Sequence, residues 1–193
     1  DEFGHRLELE AALGRGGVRL MLFETPSNPR LTITDIAAVS ALAHRHGALV
    51  AVDGTVMTPW LQRPLDLGAD VVIHSATKGL AGHGDVTAGV VATQSAEVAD
   101  TLQKKRNADG SALAPFESWL LARGAQALGV RIERAQASAL ELARALQREP
   151  GFQAVHYPGL ESHPGHALHR SQATGAGVLI TLEADTAERA EAL

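Results

Sequence analysis

The sequence predicts an α/β fold: a mostly parallel sheet covered by helices. Three observations carry that expectation. Short, almost wholly apolar runs, Val18–Phe23, Ala48–Val52 and Asp70–His74, recur with helical stretches between them. Such runs lack the polar alternation of a half-exposed sheet and suit parallel strands buried on both faces. Each run also ends beside polar residues of unusual chemistry, and sites in parallel sheets gather at the carboxyl ends of strands.

The elements follow in order. Arg6–Leu13 reads as a helix, and Val18–Phe23 as a strand closing on the loop Glu24–Pro29. Thr34 or Asp35 caps a helix whose apolar positions include Ile36, Val39, Leu42 and Ala43, with Gly47 placed to end it. Ala48–Val52 is a second strand, closed by Asp53. A turn-rich segment through Pro59 and Pro64 reaches Gly68, and the third strand, Asp70–His74, leads straight into Ser75–Lys78. Gly89–Thr93 reads as a fourth strand. From Pro115 to about Arg148 the pattern is helical, with Gly124 and Gly129 as expected interruptions. Phe152–Tyr157 and Val178–Glu183 read as strands, the second alternating, and Thr186–Leu193 as a helix.

Composition narrows the function. The 193 residues are 45% hydrophobic, enough for one substantial core and part of a second. The 17 basic residues against 22 acidic ones form no patch, so no nucleic-acid partner is expected. There is no cysteine, which excludes disulfides and thiolate metal sites. No apolar run reaches membrane-spanning length and the start is unlike a signal peptide, so no membrane partner and a cytoplasmic location are expected. Both ends read as helices cut in mid-course, as in part of a longer chain.

Asn28 follows the first strand, Asp53 closes the second, and Ser75, Thr77 and Lys78 follow the third. An acid at a strand end can hold a ring nitrogen protonated. A partly desolvated lysine can condense with an aldehyde. Two hydroxyls spaced by one residue can face a phosphate across a turn. That inventory suits pyridoxal phosphate. The plainer alternatives stay open on spacing alone: Asp53 as a turn residue and Lys78 as a solvated side chain.

The stretches Glu24-Thr-Pro-Ser-Asn-Pro29, Val52-Asp-Gly-Thr55, His74-Ser-Ala-Thr-Lys78 and Gly82-His-Gly-Asp85 stand in order. Later come Leu113-Ala-Pro-Phe116, Leu121-Ala-Arg-Gly124, Tyr157-Pro-Gly-Leu160 and Ser162-His-Pro-Gly-His166. Together they resemble the cysteine/methionine-metabolism family of pyridoxal-phosphate enzymes over essentially the whole chain. The resemblance implies a fold-type I, aspartate aminotransferase-like transferase fold. It implies a partial cofactor-binding large domain at residues 1–140 and the start of a smaller α+β C-terminal domain at 141–193. The cofactor is then pyridoxal 5'-phosphate, borne by Lys78, with Asp53 on the pyridine nitrogen and Ser75 and Thr77 on the phosphate. Asn28 matches the asparagine that touches the ring hydroxyl and the substrate carboxylate, and Thr55 lies against the ring. Further chain is expected before Asp1, with a phosphate loop, a stacking tyrosine and cross-subunit groups, and after Leu193, with a carboxylate-binding arginine.

Gly82-His-Gly-Asp-Val-Thr-Ala-Gly89 resembles methionine γ-lyase more than the synthases. The implied reaction is γ-elimination of a methionine-like substrate to 2-oxobutyrate, ammonia and a thiol. Arg106-Asn107, where the γ-lyase has Lys-Asp, points the other way. Cystathionine γ-lyase and γ-replacement on a homoserine ester, of the cystathionine γ-synthase or sulfhydrylase type, remain as alternatives. A non-catalytic module of the same fold is the reading from another class, and a Schiff-base lysine has no use in it. Partners are a sulfur amino acid or homoserine ester and a second copy of the chain, in a homodimer or homotetramer.

Two departures stand beside the chemical residues: Gly54 replaces the usual asparagine, and Gly79 the usual aromatic, where glycine is expected to loosen the backbone. His163, His166 and His169 are spaced by three, but Pro164 and Gly165 break a regular helix and no metal is expected. His44 and His46 suit a helix C-terminus, Lys104–Arg106 a solvated face, and Trp60 and Trp119 a core or interface.

Overall fold

The computed structural model describes residues 2–192, with side chains from Glu8 onward. Leu193 of the terminal helix expectation lies outside the described residues. Helix α1 (Glu2–Gly14) leads to β1 (Leu20–Glu24), α2 (Ile36–Arg45) and β2 (Leu49–Asp53). A short helix α3 (Thr58–Leu61) and a 3-10 turn (Pro64–Leu67) precede β3 (Val71–Ser75) and β4 (Gly89–Thr93). Helices α4 (Ala96–Ala108), α5 (Pro115–Ala125) and α6 (Leu128–Leu146) follow. Then come β5 (Phe152–His156), α7 (His166–Gln172), β6 (Thr181–Ala184) and α8 (Ala187–Glu191).

The main sheet has the order β1-β2-β3-β4, the first three strands parallel and β4 antiparallel to β3. Its register sets Glu24 beside Asp53, Asp53 beside Ile73, and Ser75 beside Gly89. Strand alternation then puts Asp53 and Ser75 on the same face, at the carboxyl rim. Helix α2 starts where Asp35 Oδ1 accepts from the Ala38 N–H at 2.9 Å, which settles the choice between Thr34 and Asp35 as cap. It ends at His46, with Gly47 following at φ +72°, the conformation that glycine adopts without strain.

One face of the sheet is covered; the other is buried only at its centre, where Ala51 and Val71 are 2% and 8% exposed. Met21, Phe23, Val50 and Val52 pack beneath Leu13, Ile36, Leu42 and Ala43 of α1 and α2. The opposite face carries Leu20, Leu22 and Val91 at 56%, 61% and 48% exposure. Coverage of both faces, which the all-apolar strands led us to expect, is therefore not complete among the described residues. The apolar residues are there, but no described helix lies over them at either edge.

Several boundaries differ from expectation, most by a single residue. The first strand starts at Leu20 rather than Val18, and the last at Thr181 rather than Val178, leaving 178–180 as approach to the strand. The long helical stretch does not break at Gly124 or Gly129. It breaks between them, after Ala125. Each glycine sits where another group comes too close for a side chain. A Cβ at Gly124 would lie 2.2 Å from the Ala81 carbonyl oxygen, and one at Gly129 2.8 Å from the Trp60 ring. Close packing, not helix breaking, explains both.

Helix α4 is the longest of the elements that the sequence does not announce, beside α3, the 3-10 turn and α7. It buries no residue, so no apolar periodicity marks it. Ser95 caps it by accepting from the Val98 N–H, and the pairs Asp100–Lys104 and Lys105–Asp109 support its surface. The second sheet, β5 with β6, packs with α6 around Tyr157. Tyr157 is fully buried and donates to the Gly177 carbonyl at 3.0 Å; burial pushes its hydroxyl up to about 12. Helix α6 runs unbroken through residues 140 and 141.

Candidate active site

The parallel strands deliver their polar residues to one rim. Asp53 ends β2 half-buried, and its Oδ1 accepts from the Thr55 N–H at 2.9 Å. Thr55 in turn accepts, through Oγ1, from the Ser75 N–H at 2.8 Å. A single hydroxyl thus ties the end of β2 to the end of β3. Ser75 then starts a turn in which the Lys78 N–H donates to its carbonyl at 3.1 Å. Thr77 is fixed on β4's approach: its Oγ1 accepts from the Ala88 N–H at 2.9 Å and donates to the Ala88 carbonyl at 3.3 Å.

Lys78 is exposed. The partial desolvation expected of it is not supplied by the described residues. Asn28 is also exposed, on the loop after β1, where its N–H donates to the Glu24 carboxylate at 2.9 Å. Asn28, Asp53, Ser75, Thr77 and Lys78 all follow the ends of adjacent strands, Thr55 lying between two of them.

Behind this rim the two unusual glycines are packed, not loose. A Cβ at Gly54 would lie 2.7 Å from His74 Cε1, and one at Gly79 2.7 Å from Thr58 Cγ2. Added freedom is the wrong description of both sites, because each glycine's empty side is filled by a neighbour's side chain. His74 points to the covered face, and burial holds its imidazole below the ordinary value, against the raising effect of the nearby Asp53 charge.

Arg131 has a part that sequence reasoning missed. From α6 its guanidinium donates to the carbonyls of Gly79, Leu80 and Gly124 at 3.0, 3.2 and 3.0 Å. A Cβ at Gly82 would lie 1.9 Å from its Nη1. The turn after Lys78 is therefore pinned from 51 and 52 residues away by carbonyl contacts that leave no side-chain pattern. Gly82–Asp85 is the link from that turn to β4.

Four further histidines serve the fold. His44 Nε2 lies 2.9 Å from Asp70 Oδ2. His163 accepts from the Gly165 N–H at 3.1 Å, His166 meets the Pro158 carbonyl at 2.8 Å, and His169 the Gly175 carbonyl at 2.8 Å. Among the described residues no three histidines or acids are grouped to hold a metal ion. Trp119 is exposed and stacks on Phe116, with Arg123 over its ring, and Trp60 packs on Gly129 while half of it stays open.

Residues 4–193 match the model of one protein family, the Cys/Met metabolism PLP-dependent enzymes. The chain belongs to that family. It is 47% identical over 175 residues to a cystathionine beta-lyase of Bacillus subtilis, covering 91% of this chain and 45% of that protein. It is 49% identical over 179 residues to the L-methionine gamma-lyase of Pseudomonas deceptionensis, covering 91% and 44%. Among solved structures, cystathionine gamma synthase from Xanthomonas oryzae pv. oryzae superimposes with a TM-score of 0.92 at 41% identity, over 95% of this chain and 47% of that one. The chain spans a little under half the length of the curated relatives it matches.

The fold is thus that of the fold-type I enzymes, and the family's cofactor is pyridoxal 5'-phosphate. The donor set at the rim fits that group. Asp53 offers a carboxylate to a cationic ring nitrogen, with one oxygen already steadied by Thr55. Ser75 and Thr77 offer hydroxyls to a phosphate, and Thr77's bond to the Ala88 carbonyl is long enough at 3.3 Å to be exchanged. No described helix is long and apolar enough to cross a membrane.

Proposed function

We propose that the chain is the cofactor-bearing part of a carbon–sulfur lyase that removes the γ-sulfur group from a methionine-like amino acid, giving 2-oxobutyrate, ammonia and a thiol. The observation that carries this reading is the tie from Asp53 through Thr55 to Ser75, which holds an acid and two hydroxyls one turn from Lys78. When bound, pyridoxal phosphate supplies an electron sink for carbanions at the substrate's α- and β-carbons.

The chain's own residues supply the rest. Asp53 keeps a ring nitrogen protonated. Ser75 and Thr77 hold the phosphate. Lys78 would carry the cofactor at rest, and its Nζ, when free, would take the α-proton of the substrate. Asn28 orients the substrate carboxylate.

The relatives include cystathionine beta-lyases at the same level of identity as the methionine gamma-lyase. The products separate these reactions: γ-elimination releases 2-oxobutyrate and β-elimination of cystathionine releases pyruvate. Full-length holoenzyme is expected to form 2-oxobutyrate from methionine faster than pyruvate from cystathionine. Pyruvate as the main keto acid would overturn the γ-lyase reading and favour a β-lyase. Consumption of a homoserine ester and a thiol, with no keto acid formed, would favour γ-replacement.

The full-length subunit is further proposed to pair with a second copy, as the family resemblance of the sequence implies. Sedimentation of the holoenzyme should give at least a dimer. A monomer that stays active at low concentration counts against it.

A further inference from the structure

Asn28 lies on a loop whose other side is held from more than 130 residues away. Gln172, the last residue of α7, is buried, and its side-chain amide bonds twice to that loop's end. Its Oε1 accepts from the Ile36 N–H at 3.2 Å, and its Nε2 donates to the Thr34 carbonyl at 2.9 Å. Ile36 opens α2, and its N–H is one of the helix-start donors that no helical carbonyl can satisfy. The Asp35 cap is engaged elsewhere, on Ala38. Only a side chain with a donor and an acceptor in one plane can meet both groups, which is what a carboxamide offers.

The hold passes back along the loop. Thr34 exchanges hydrogen bonds with the fully buried Thr25: its N–H donates to Thr25 Oγ1 at 2.9 Å, and that hydroxyl donates to its carbonyl at 3.4 Å. Between them the chain folds on itself, with the Leu31 N–H on the Ser27 carbonyl at 2.7 Å and the Ser27 N–H on the Thr32 carbonyl at 3.0 Å. Neighbouring residues of the C-terminal region press on the same loop. Thr181 Oγ1 donates to the Pro29 carbonyl, and Ile33 packs so closely on Gly165 that a Cβ there would lie 2.5 Å from it. Asn28 sits within this clamp and, among the described residues, makes a local contact through its N–H to Glu24.

We propose that Gln172 is a positioning residue for Asn28: it fixes the loop that presents Asn28, and so governs how well the substrate is held. The proposal rests on the reading of Asn28 as the group that meets the substrate carboxylate. A loosened loop weakens that contact in ground state and transition state alike, which raises KM and leaves kcat nearly unchanged.

The test uses the full-length holoenzyme with Gln172→Met, which keeps the packing and loses both hydrogen bonds. KM for the amino acid should rise by roughly tenfold, with kcat changed by less than about twofold. Amide exchange at Leu31 and Thr34 should accelerate in the same variant. Gln172→Glu keeps the acceptor for Ile36 and loses the donor for Thr34, and should shift KM the same way; it decides the matter if the methionine variant does not fold. In an Asn28→Ala background, Gln172→Met should raise KM no further, because both changes act through one contact. A lower melting temperature with unchanged KM overturns the proposal and leaves Gln172 a structural residue. Should Asn28→Ala itself leave KM unchanged, the reading of Asn28 fails, and the proposal with it. If Asn28→Ala raises KM and Gln172→Met does not, the proposal alone fails.

Discussion

Asp53 is already held by its own loop before any cofactor is considered. The Thr55 N–H occupies Oδ1, and Thr55 is locked by its bond to Ser75. Replacing Asp53 with alanine should lower turnover by several orders of magnitude, because the ring nitrogen loses the charge that keeps it protonated. Asp53→Asn should also be poor, since an amide keeps the hydrogen bond to Thr55 but cannot stabilise a cation. Near-normal rates in both variants, measured at saturating cofactor, would make Asp53 a turn residue only. The rim that holds the proposed chemical residues was legible in the sequence because strand ends bring them together by simple topology. Gln172 and Arg131 were not. Apart from Gly124, 7 positions from Arg131, their partners are backbone carbonyls and amides 51 to 138 positions away, and a carbonyl contact leaves no mark on residue type at the far end.

At the scale of elements, legibility followed burial. Strands β1, β2 and β3 were read close to their true limits because they are apolar, and α2 because its cap and its glycine are explicit. Helix α4 buries nothing and so escaped. The glycines of α5 and α6 misled because a close approach and a helix break use the same residue.

The same burial gives the fold a pH response. His74, His163 and His169 are all held below the ordinary 6.5, chiefly because burial penalises the charged imidazole. Below 6.5 the unfolded chain takes up protons at these sites while the folded chain does not. Their contribution is therefore complete above that pH and declines as pH falls toward the lowered values. Thermal unfolding should show stability falling from pH 7 to about pH 5.5, with a shallower fall in His169→Gln, which removes one such site. Equal slopes in the two proteins would mean that His169 takes no part.

Across the whole molecule, two sheets meet the site from different sides. The parallel sheet presents Asp53, Ser75 and Lys78 at its rim, and the small β5–β6 sheet with α7 grips the loop bearing Asn28. What the sequence could not show is which strand face stays open, since Leu20 and Leu22 look the same whether covered or exposed. The central claim is that Lys78 carries the cofactor, and reduction of the full-length holoenzyme tests it most directly. Borohydride should abolish the violet absorbance band and leave the cofactor's mass on the peptide that contains Lys78, while Lys78→Ala should stay folded, show no band and turn nothing over. A reduced adduct on another lysine, or full activity in Lys78→Ala, would contradict the account.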